Sequence, residues 1–426
     1  MATKKILCPY CFEEFQNSEA LYQCESEERD ADGEYRCRRI TSMAYDRYWK
    51  GEDLPIRNVW PQKGGFLSKL TGPSLKAQRC DNCGYNSRRF VCPHCLNWLP
   101  TDMIEKGAEI ISVIGSPSSG KTNYIVALIH QLSKYGYKID LQVSATQIYR
   151  DGHKNESTQN RYRELDRRLF KDLTMLAKTP ENAKDIPLIF HLSQQQTNKD
   201  IYLVFYDTAG EKFQENLKNN VRYLQQSSGV ICVLDVLSIS KVKKILLNKG
   251  FSEFAGQPSA PMQDIQYSLD SFEGDEKLYS KPFAFVFSKF DAIIDNKSDL
   301  SFNADEFTRG NTLNDSSYLK SGEVDLDKIN AISEVIEQTM EEEWDEGDFR
   351  HFAHKWASKK NRELPPDKRN PNDPDNSYKF FGVSSLGGMP DDNMTLDEVK
   401  PYRVVDPLVW ILYKLGQFKI PVKNQK

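Results

Sequence analysis

The sequence predicts an α/β fold with three layers, in which a small cysteine-rich module precedes a domain built on a mostly parallel sheet. From about residue 109, apolar runs rich in β-branched and aromatic residues alternate with helix-like segments. Runs that are apolar almost throughout indicate strands buried on both faces, as in parallel sheets covered by helices. Residues 1–100 are instead polar and contain eight of the nine cysteines. We therefore expect a module at 1–100 and an α/β domain at 108–426.

Six apolar runs and two helical patterns make up the predicted α/β domain. The runs are EIISVIG, IPLIFHLS, DIYLVFYD, SGVICVLDVL, KPFAFVFSKFD and YKFFGVSS, and the helical patterns are TNYIVALIHQLSKYG and DPLVWILYKLGQF. Three segments are interpreted as insertions: 140–178, 238–280 and 296–377. In the first, NRYRELDRRLFKDLTMLAK is helix-like. In the last, apolar residues from Ile329 to Met340 recur at helical spacing, which predicts an amphipathic helix packed on the sheet.

The composition is typical of a globular protein, with 39% hydrophobic and 28% charged residues. No apolar run approaches the roughly 18 residues that a membrane-spanning helix needs. The N-terminal MATKKILCPY has no apolar region of the secretory type, so we expect a cytoplasmic protein without membrane contact. A formal net charge of -4 gives no electrostatic reason for strong nucleic-acid binding. The isolated Cys232 is interpreted as a buried core residue.

The segment GSPSSGKT, residues 115–122, has the spacing of a phosphate-binding loop. It follows an apolar strand and opens an apolar helix, which is the context in which backbone N–H groups and a helix N-terminus surround phosphates. Lys121 is expected to bridge the β- and γ-phosphates, and the hydroxyl of Thr122 to ligate Mg²⁺. The residues predicted to contact the nucleotide here are Gly115, Ser116, Pro117, Ser118, Ser119, Gly120, Lys121, Thr122 and Asn123.

The strand end in LVFYDTAGE supplies a second part of the predicted site. An acid at a strand tip, here Asp207, can hold Mg²⁺ through water, and the N–H of Gly210 can contact the γ-phosphate. The loop that follows would then change conformation with the bound nucleotide.

The strand end in FAFVFSKFD is predicted to select the base. Ser288, Lys289 and Asp291 resemble the N/T-K-x-D motif of GTP-binding proteins, with serine where asparagine or threonine is usual. Asp291 can accept hydrogen bonds from the ring N–H and the amine of guanine, a donor pair that adenine lacks, while the stem of Lys289 covers the base. Because the wrong base leaves the carboxylate unpaired, this contact discriminates strongly.

A fourth strand end, in FFGVSSLG, resembles the S-A-K loop of the same proteins. It contains Ser384, Ser385 and Leu386, and Ser385 is expected to offer its backbone N–H to the guanine oxygen. Leu386 stands in place of the lysine.

These four motifs occur in the required order at strand ends of one α/β pattern. That order resembles the TRAFAC class of P-loop GTPases, the Ras-like branch especially, over residues 110–426. The resemblance implies a guanine-nucleotide switch that binds GTP or GDP with Mg²⁺ and hydrolyses GTP slowly.

The resemblance also indicates residues for hydrolysis. By position, Thr179 is the expected switch threonine that closes on Mg²⁺, with Thr174 and Thr158 as alternatives. Glu211 occupies the position where Ras-like proteins usually carry glutamine. A glutamate can orient water but adds negative charge beside the γ-phosphate, so we expect slow hydrolysis unless a partner assists. The candidate catalytic residues are Lys121, Thr179 and Glu211.

The cysteines of residues 1–100 form two groups along the chain. The first prediction is a zinc site in CDNCGYNSRRFVCPHC, because two C-x₂-C knuckles offer four thiolates to one tetrahedral ion and a cytosolic protein favours zinc over disulfides. Its ligands would be Cys80, Cys83, Cys92 and Cys95. A second zinc site is expected from Cys8, Cys11, Cys24 and Cys37. The alternatives are a free single cysteine, pairing of Cys8 and Cys11 with a knuckle of the other group, or an iron–sulfur cluster.

The role expected for the zinc module is docking to a protein partner. Basic residues near the second group are few and are diluted by acidic ones, so nucleic acid is the alternative partner. A paired zinc ribbon that leads directly into a Ras-like domain is similar to the double-GTPase families predicted in bacterial conflict systems. That resemblance implies action beside partner proteins in a response against invaders.

The function that these observations favour is a GTP-binding switch that contacts proteins through its switch loops or its zinc module. One alternative is a zinc adaptor for protein or nucleic acid that binds nucleotide without hydrolysing it. A P-loop ATPase is the other, and base preference separates it from the first two.

Overall fold

A computed structural model describes most of the chain. The described residues are 4–33, 36–37, 57–62, 76–107, 109–115, 119–147, 157–176, 187–196, 199–205, 223–249, 266, 269, 276–298, 300, 302, 324–342, 344, 347–365, 368–370, 373–388, 390–391, 394–416 and 419.

The cysteine-rich module consists of short antiparallel strands. A hairpin of β1 and β2 comes first, a four-stranded sheet has the order β4-β3-β7-β8, and a second hairpin joins β5 and β6. The strands are β1 (Lys5–Leu7), β2 (Glu14–Gln16), β3 (Leu21–Gln23), β4 (Val59–Pro61), β5 (Gln78–Arg79), β6 (Asn86–Ser87), β7 (Arg89–Val91) and β8 (Trp98–Leu99). Helix α1 (Thr101–Lys106) leads from this module into the α/β domain.

The α/β domain contains a seven-stranded sheet with the order β10-β11-β12-β9-β13-β14-β15. Its strands are β9 (Glu109–Gly115), β10 (Gln142–Ala145), β11 (Leu188–Gln194), β12 (Lys199–Phe205), β13 (Gly229–Asp235), β14 (Phe283–Ser288) and β15 (Tyr378–Gly382). Strands β12, β9, β13, β14 and β15 are parallel, whereas β11 is antiparallel to both β12 and β10. The predicted mostly parallel sheet is confirmed.

Helices cover both faces of this sheet. They are α2 (Lys121–Tyr135), α3 (Thr158–Asp166), α4 (Ser240–Asn248), α5 (Glu276–Tyr279), α6 (Asp291–Asp295), α7 (Leu326–Glu342), α8 (Gly347–Ala353), α9 (Lys359–Arg362) and α10 (Asp406–Leu415). A π-helical turn, Arg167–Lys171, extends α3, and short 3₁₀ segments lie at Asn17–Glu19, Gly136–Ile139, Val236–Ser238 and His354–Trp356.

Alternating residues of β9 show how the layers divide. Ile111 and Val113 pack with α2 and α10 on one face, in a cluster that includes Leu128 and Leu408. Ile110 and Ile114 point to the other face and join a larger cluster that contains residues of α4 and α7 and most of the buried apolar residues of the cysteine-rich module. The predicted three-layer α/β architecture is therefore confirmed.

The predicted amphipathic helix is α7, and the predicted C-terminal helix is α10. The helix-like segment of the first insertion forms α3 and its π-helical extension. The edge strand β10 was not predicted, although QVSA alternates polar and apolar residues over its four positions. No helix in the described ranges combines the length and the apolar character needed to cross a membrane.

Candidate nucleotide-binding site and metal centres

The parallel strands bring the predicted nucleotide contacts to one edge of the sheet. Gly115 ends β9, Ser288 ends β14, and Ser384 follows β15 by two residues. Because these strands are parallel, their carboxyl ends lie on the same side, which is where open α/β sheets bind ligands. The order of the motifs along the chain therefore becomes a spatial cluster.

The phosphate loop is shaped by close backbone approach and by a bare helix end. A Cβ atom at Gly115 would lie 2.3 Å from the carbonyl oxygen of Val233, so only glycine fits there. Gly120 adopts a left-handed conformation, with φ of 75°, at the N-terminus of α2. The first turn of α2 contains no acidic residue, and Gly120 at the N-cap has no side chain that could form a capping hydrogen bond. Its N–H groups and the helix dipole are thus suited to an anion such as phosphate.

Lys121 lies within this loop. Its Nζ atom donates a hydrogen bond to the carbonyl oxygen of Gly115 at 2.8 Å, and its side chain is buried. A buried ammonium group beside the uncapped helix end supplies positive charge where phosphate oxygens would lie. The donors of this site therefore fit a phosphate group.

Ser288 joins the end of β14 to the phosphate loop. Its Oγ atom lies 2.7 Å from the carbonyl oxygen of Ser119 and 3.0 Å from that of Leu234, so the two acceptors share one hydroxyl proton. Ser288 is buried, and the low local dielectric strengthens this contact. The serine therefore ties the two loops together although asparagine or threonine is usual at this position.

Lys289 is fixed by an acid that the sequence analysis did not identify as part of the site. Its Nζ atom lies 2.5 Å from Oδ2 of Asp235, the last residue of β13, while Oδ1 of Asp235 accepts a hydrogen bond from the N–H of Leu237 at 2.9 Å. Asp235 is buried and pairs in register with Ser288 on the neighbouring strand. The signal that could have revealed it is an aspartate at the end of the apolar run GVICVLDVL.

The loop after β15 is hydrogen-bonded to the loop after β14. The N–H of Phe290 donates to the carbonyl oxygen of Val383 at 3.0 Å, and Ser384 forms a two-way backbone bridge with Tyr402. Ser385 is buried beside this bridge, and the Oγ atom of Ser384 accepts from the N–H of Gly387 at 2.8 Å. The two predicted base-reading loops thus form one hydrogen-bonded unit.

Leu386 and Asp291, two residues predicted to contact the base, belong to this unit. Leu386, where the resembled proteins carry lysine, packs against the apolar cluster of Val126, Leu169 and Leu176. Asp291 is half-buried as the first residue of α6. Their predicted contacts with the base stay predictions.

Several predicted site residues lie outside the described residues. These are Ser116, Pro117, Ser118, Thr179, Asp207, Gly210 and Glu211. The two alternatives to Thr179 are described, and both use their hydroxyls elsewhere. Oγ1 of Thr158 accepts from the N–H of Ile189 at 2.9 Å, and Oγ1 of Thr174 donates to the carbonyl oxygen of Asp172 at 3.2 Å.

The eight cysteines of the module form two tetrads, but not the predicted ones. The inner tetrad is Cys8, Cys11, Cys92 and Cys95, and the outer tetrad is Cys24, Cys37, Cys80 and Cys83. In each tetrad the four Sγ atoms lie within 4.8 Å of one another. The prediction that neighbouring knuckles share one ion is therefore wrong, and the alternative in which Cys8 and Cys11 pair with a knuckle of the other group is confirmed.

The reason for this exchange lies in the strands between the knuckles. The knuckle at 80–83 is the turn of the β5–β6 hairpin, and the knuckle at 92–95 is the turn between β7 and β8. The residues between them run largely as β6 and β7. Because β6 pairs with β5 whereas β7 lies in the four-stranded sheet, the two knuckles are turns of different sheets, and each lies beside a different pair of cysteines.

The sulfur separations fit zinc. In a tetrahedral thiolate site with Zn–S bonds of about 2.3 Å, the sulfur atoms lie about 3.8 Å apart. In the inner tetrad, the Sγ atoms of Cys8 and Cys95 are 3.7 Å apart and those of Cys11 and Cys92 are 3.8 Å apart. In the outer tetrad, the corresponding separations are 3.5 Å for Cys24 and Cys83 and 3.4 Å for Cys37 and Cys80.

Nitrogen donors surround both tetrads. In the inner one, Nδ2 of Asn97 donates to Sγ of Cys95 at 3.2 Å. In the outer one, Nδ2 of Asn82 donates to Sγ of Cys37 at 3.4 Å. Burial raises the pKa of Cys80, but hydrogen bonds from Asn58 and from backbone N–H groups outweigh burial and lower it to about 7. Such donors stabilise thiolates, which are the form that binds metal.

A known family corresponds to the first part of the α/β domain. The sequence model described as Double-GTPase 2 matches residues 109–252, which begin at β9 and include the phosphate loop, α2 and β13. This segment is similar to the double-GTPase family. The family supports GTP binding by the domain, and the two tetrads are compatible with the zinc ribbons expected beside it. No curated protein matches the chain.

Proposed function

We propose that this double-GTPase protein is a Mg²⁺-dependent GTP-binding switch with slow, partner-assisted GTP hydrolysis. The observation that carries the proposal is the contact of Ser288 with Ser119, which joins the base-recognition strand to the phosphate loop. A ligand that spans both loops, with a purine at one end and phosphates at the other, matches this arrangement. The family match at residues 109–252 supports guanine as the base.

In this proposal each part of the site has a chemical role. Lys121 and the N–H groups at the start of α2 hold the phosphates, and Thr122 with Asp207 would hold Mg²⁺. Asp291 accepts hydrogen bonds from guanine, Ser385 contacts the guanine oxygen, and Lys289 covers the base.

Slow hydrolysis follows from the residue after Gly210. Glu211 places negative charge near the γ-phosphate, and Thr179 would complete the Mg²⁺ shell. We expect single-turnover hydrolysis by the isolated protein far below tens per second, since Ras-like domains need a partner to reach such rates. Tens per second without a partner would contradict this part of the proposal.

The biological role that we propose is regulatory. The GTP-bound form would present a surface to protein partners in a multi-protein system, of the kind predicted for double-GTPase families in bacterial defence. The zinc module would take part in docking.

Base selection provides the direct test. Asp291→Asn should weaken GTP binding at least a hundredfold and favour xanthosine triphosphate, because the amide reverses one hydrogen-bond requirement at the base. The matched control is Asp295→Asn, which changes an exposed acid at the other end of α6. Titration of fluorescent guanine, xanthine and adenine nucleotides measures both variants. Unchanged GTP affinity in Asp291→Asn would remove the base assignment, and preference for ATP in the unaltered protein would favour a P-loop ATPase.

A further inference from the structure

The cysteine-rich module is continuous with the α/β domain. Ile6, Phe15 and Phe90 of the module share one buried cluster with Ile110 and Val204 of the sheet. The module therefore packs on the sheet face opposite α2 and α10. A hydrogen bond also joins the module to α1, since Nδ2 of Asn17 donates to the carbonyl oxygen of Ile104 at 3.3 Å.

Phe12 is the residue through which the inner tetrad reaches the domain. It directly follows the knuckle Cys8–Cys11, and its N–H donates to the carbonyl oxygen of Cys8 at 3.0 Å. Its backbone is left-handed, with φ of 55°, which a non-glycine residue adopts only when its surroundings require it. Its ring lies against that of Tyr223, with 4.7 Å between the ring centroids. The knuckle thus determines where the Phe12 ring lies.

Tyr223 connects two strands of the sheet. Its hydroxyl accepts a hydrogen bond from the N–H of Val113 in β9 at 3.3 Å and donates one to the carbonyl oxygen of Val204 in β12 at 2.5 Å. Val113 lies two residues before Gly115, and Val204 lies one residue before the end of β12. The tyrosine hydroxyl therefore lies between the strand that leads into the phosphate loop and its parallel neighbour.

Further hydrogen bonds fix Tyr223 in this place. The N–H of Ser227 donates to the carbonyl oxygen of Tyr223 at 3.2 Å, and the hydroxyls of Ser227 and Ser112 are hydrogen-bonded to each other. The N–H of Ser228 donates to the carbonyl oxygen of Ile110 at 2.8 Å. Burial raises the pKa of Tyr223, so its hydroxyl stays protonated and able to donate. The segment is held to β9 at several points.

We propose that Tyr223 is a positioning residue for the nucleotide site and that metal binding by the inner tetrad supports it through Phe12. The inference rests on the proposed function, because the ligand of the site is taken to be a guanine nucleotide. Coupling between two binding sites is reciprocal. Zinc in the inner tetrad should therefore raise nucleotide affinity, and bound nucleotide should slow zinc loss from that tetrad.

Two substitutions with matched controls test this proposal in the full chain. Tyr223→Phe removes only the hydroxyl, and its control is Tyr378→Phe, which makes the same change at a buried tyrosine of the edge strand β15. Phe12→Leu shrinks the ring contact, and its control is Phe352→Leu, which makes the same change at a buried phenylalanine of α8. Zinc content and thermal denaturation show whether each variant is folded.

We expect the two test variants to differ from their controls. Hydrogen exchange of the peptides at 109–115 and 199–205 should become faster in Tyr223→Phe and Phe12→Leu, and remain unchanged in both controls. The dissociation constant for fluorescent GDP should rise about tenfold in Tyr223→Phe, the effect of losing one buried hydrogen bond, and by a smaller factor in Phe12→Leu, which loses only part of a ring contact. Saturating GDP should slow the release of zinc to a colorimetric chelator from the unaltered protein.

Each contrary result has its own meaning. If exchange at 109–115 is the same in Tyr223→Phe as in the unaltered protein, the positioning role is wrong, whatever ligand the site binds. If hydrogen exchange becomes faster but GDP affinity stays within twofold and the rate of zinc release does not depend on GDP, the proposed linkage between the two sites is wrong. If the unaltered protein binds no guanine nucleotide, the proposed function fails, and the exchange result still decides the role of Tyr223.

Discussion

The inner and outer tetrads each consist of four thiols, but their surroundings differ. Three cysteines of each are buried, but the fourth is half-buried in the inner tetrad, Cys11, and exposed in the outer one, Cys83. The inner tetrad continues directly into Phe12 and the ring of Tyr223, whereas the outer tetrad is bordered by the exposed loop at 81–83. We therefore expect the loss of one cysteine to have different effects in the two tetrads.

The largest expected effect is that of Cys92→Ser in the inner tetrad. Structural zinc contributes roughly 10–16 kcal/mol of apparent binding free energy in small domains, and a buried site has no water to replace the lost thiolate. We expect the metal content to fall from two ions to one and the free energy of unfolding to drop by about 5 kcal/mol or more. Metal analysis and denaturant unfolding measure both. Retention of two ions with unchanged stability would mean that the inner tetrad is not a zinc site.

Cys83→Ser in the outer tetrad should have a smaller effect. Because Cys83 is exposed, water can take the fourth position around the ion, as in zinc sites with three protein ligands. We expect two ions per chain at saturating zinc, weaker retention of one of them against a chelator, and unchanged GDP affinity. A clear loss of GDP affinity in Cys83→Ser would show that the outer tetrad, like the inner one, is linked to the nucleotide site.

The amide donors of the two tetrads allow a finer comparison. Asn97 is buried beside the inner tetrad, and Asn82 is exposed beside the outer one. Groups that hydrogen-bond metal ligands typically change metal affinity by about 10–100-fold. Asn97→Ala should lower zinc affinity by about tenfold, and Asn82→Ala should lower it less, because water can replace an exposed donor. Competition with a chelator of known zinc affinity measures both. Equal losses of zinc affinity in the two variants would show that burial of the amide donor does not determine its contribution.

The smallest expected effect concerns the ion pair between Lys106 of α1 and Asp200 of β12. Nζ of Lys106, in α1, lies 2.9 Å from Oδ2 of the buried Asp200 in β12, and His191 contacts the other carboxylate oxygen at 2.5 Å. Lys106→Met should cost about 1 kcal/mol of unfolding free energy, since Asp200 keeps its histidine partner. The control is Lys5→Met, which removes an exposed pair with Glu14 and should cost almost nothing. Chemical denaturation compares the two. A larger loss in Lys5→Met would contradict the role assigned to burial.

The nucleotide edge shows how far sequence patterns reach. The phosphate loop, Ser288 and Ser384 were predicted from motifs at strand ends, and the parallel sheet places the described members of that set at one edge. Asp235 was not predicted, because an acid at a strand end gains its meaning only from the neighbouring strand that brings Lys289 to it. Tyr223 was likewise unpredictable, since nothing local indicates that its hydroxyl joins two strands.

The cysteine-rich module shows what sequence patterns could not predict. Spacing along the chain predicted zinc ligation by eight cysteines but assigned them to the wrong partners. Pairing depends on which hairpin turns meet in space, and the separation of neighbouring knuckles by strands β6 and β7 is a tertiary fact. The C-x₂-C pairs determine that a knuckle forms, and packing determines which knuckle faces it.

The sequence alone predicted six of the seven strands of the α/β sheet, the phosphate-loop motif between β9 and α2, and the presence of cysteine knuckles, because these depend on local periodicity and on short motifs. The tertiary structure decided the grouping of the cysteines, the ion pair of Asp235 with Lys289, and the contact of Phe12 with Tyr223. Each of these joins residues far apart along the chain. Such contacts are set by the packing of whole elements, for which no short stretch of sequence carries the information.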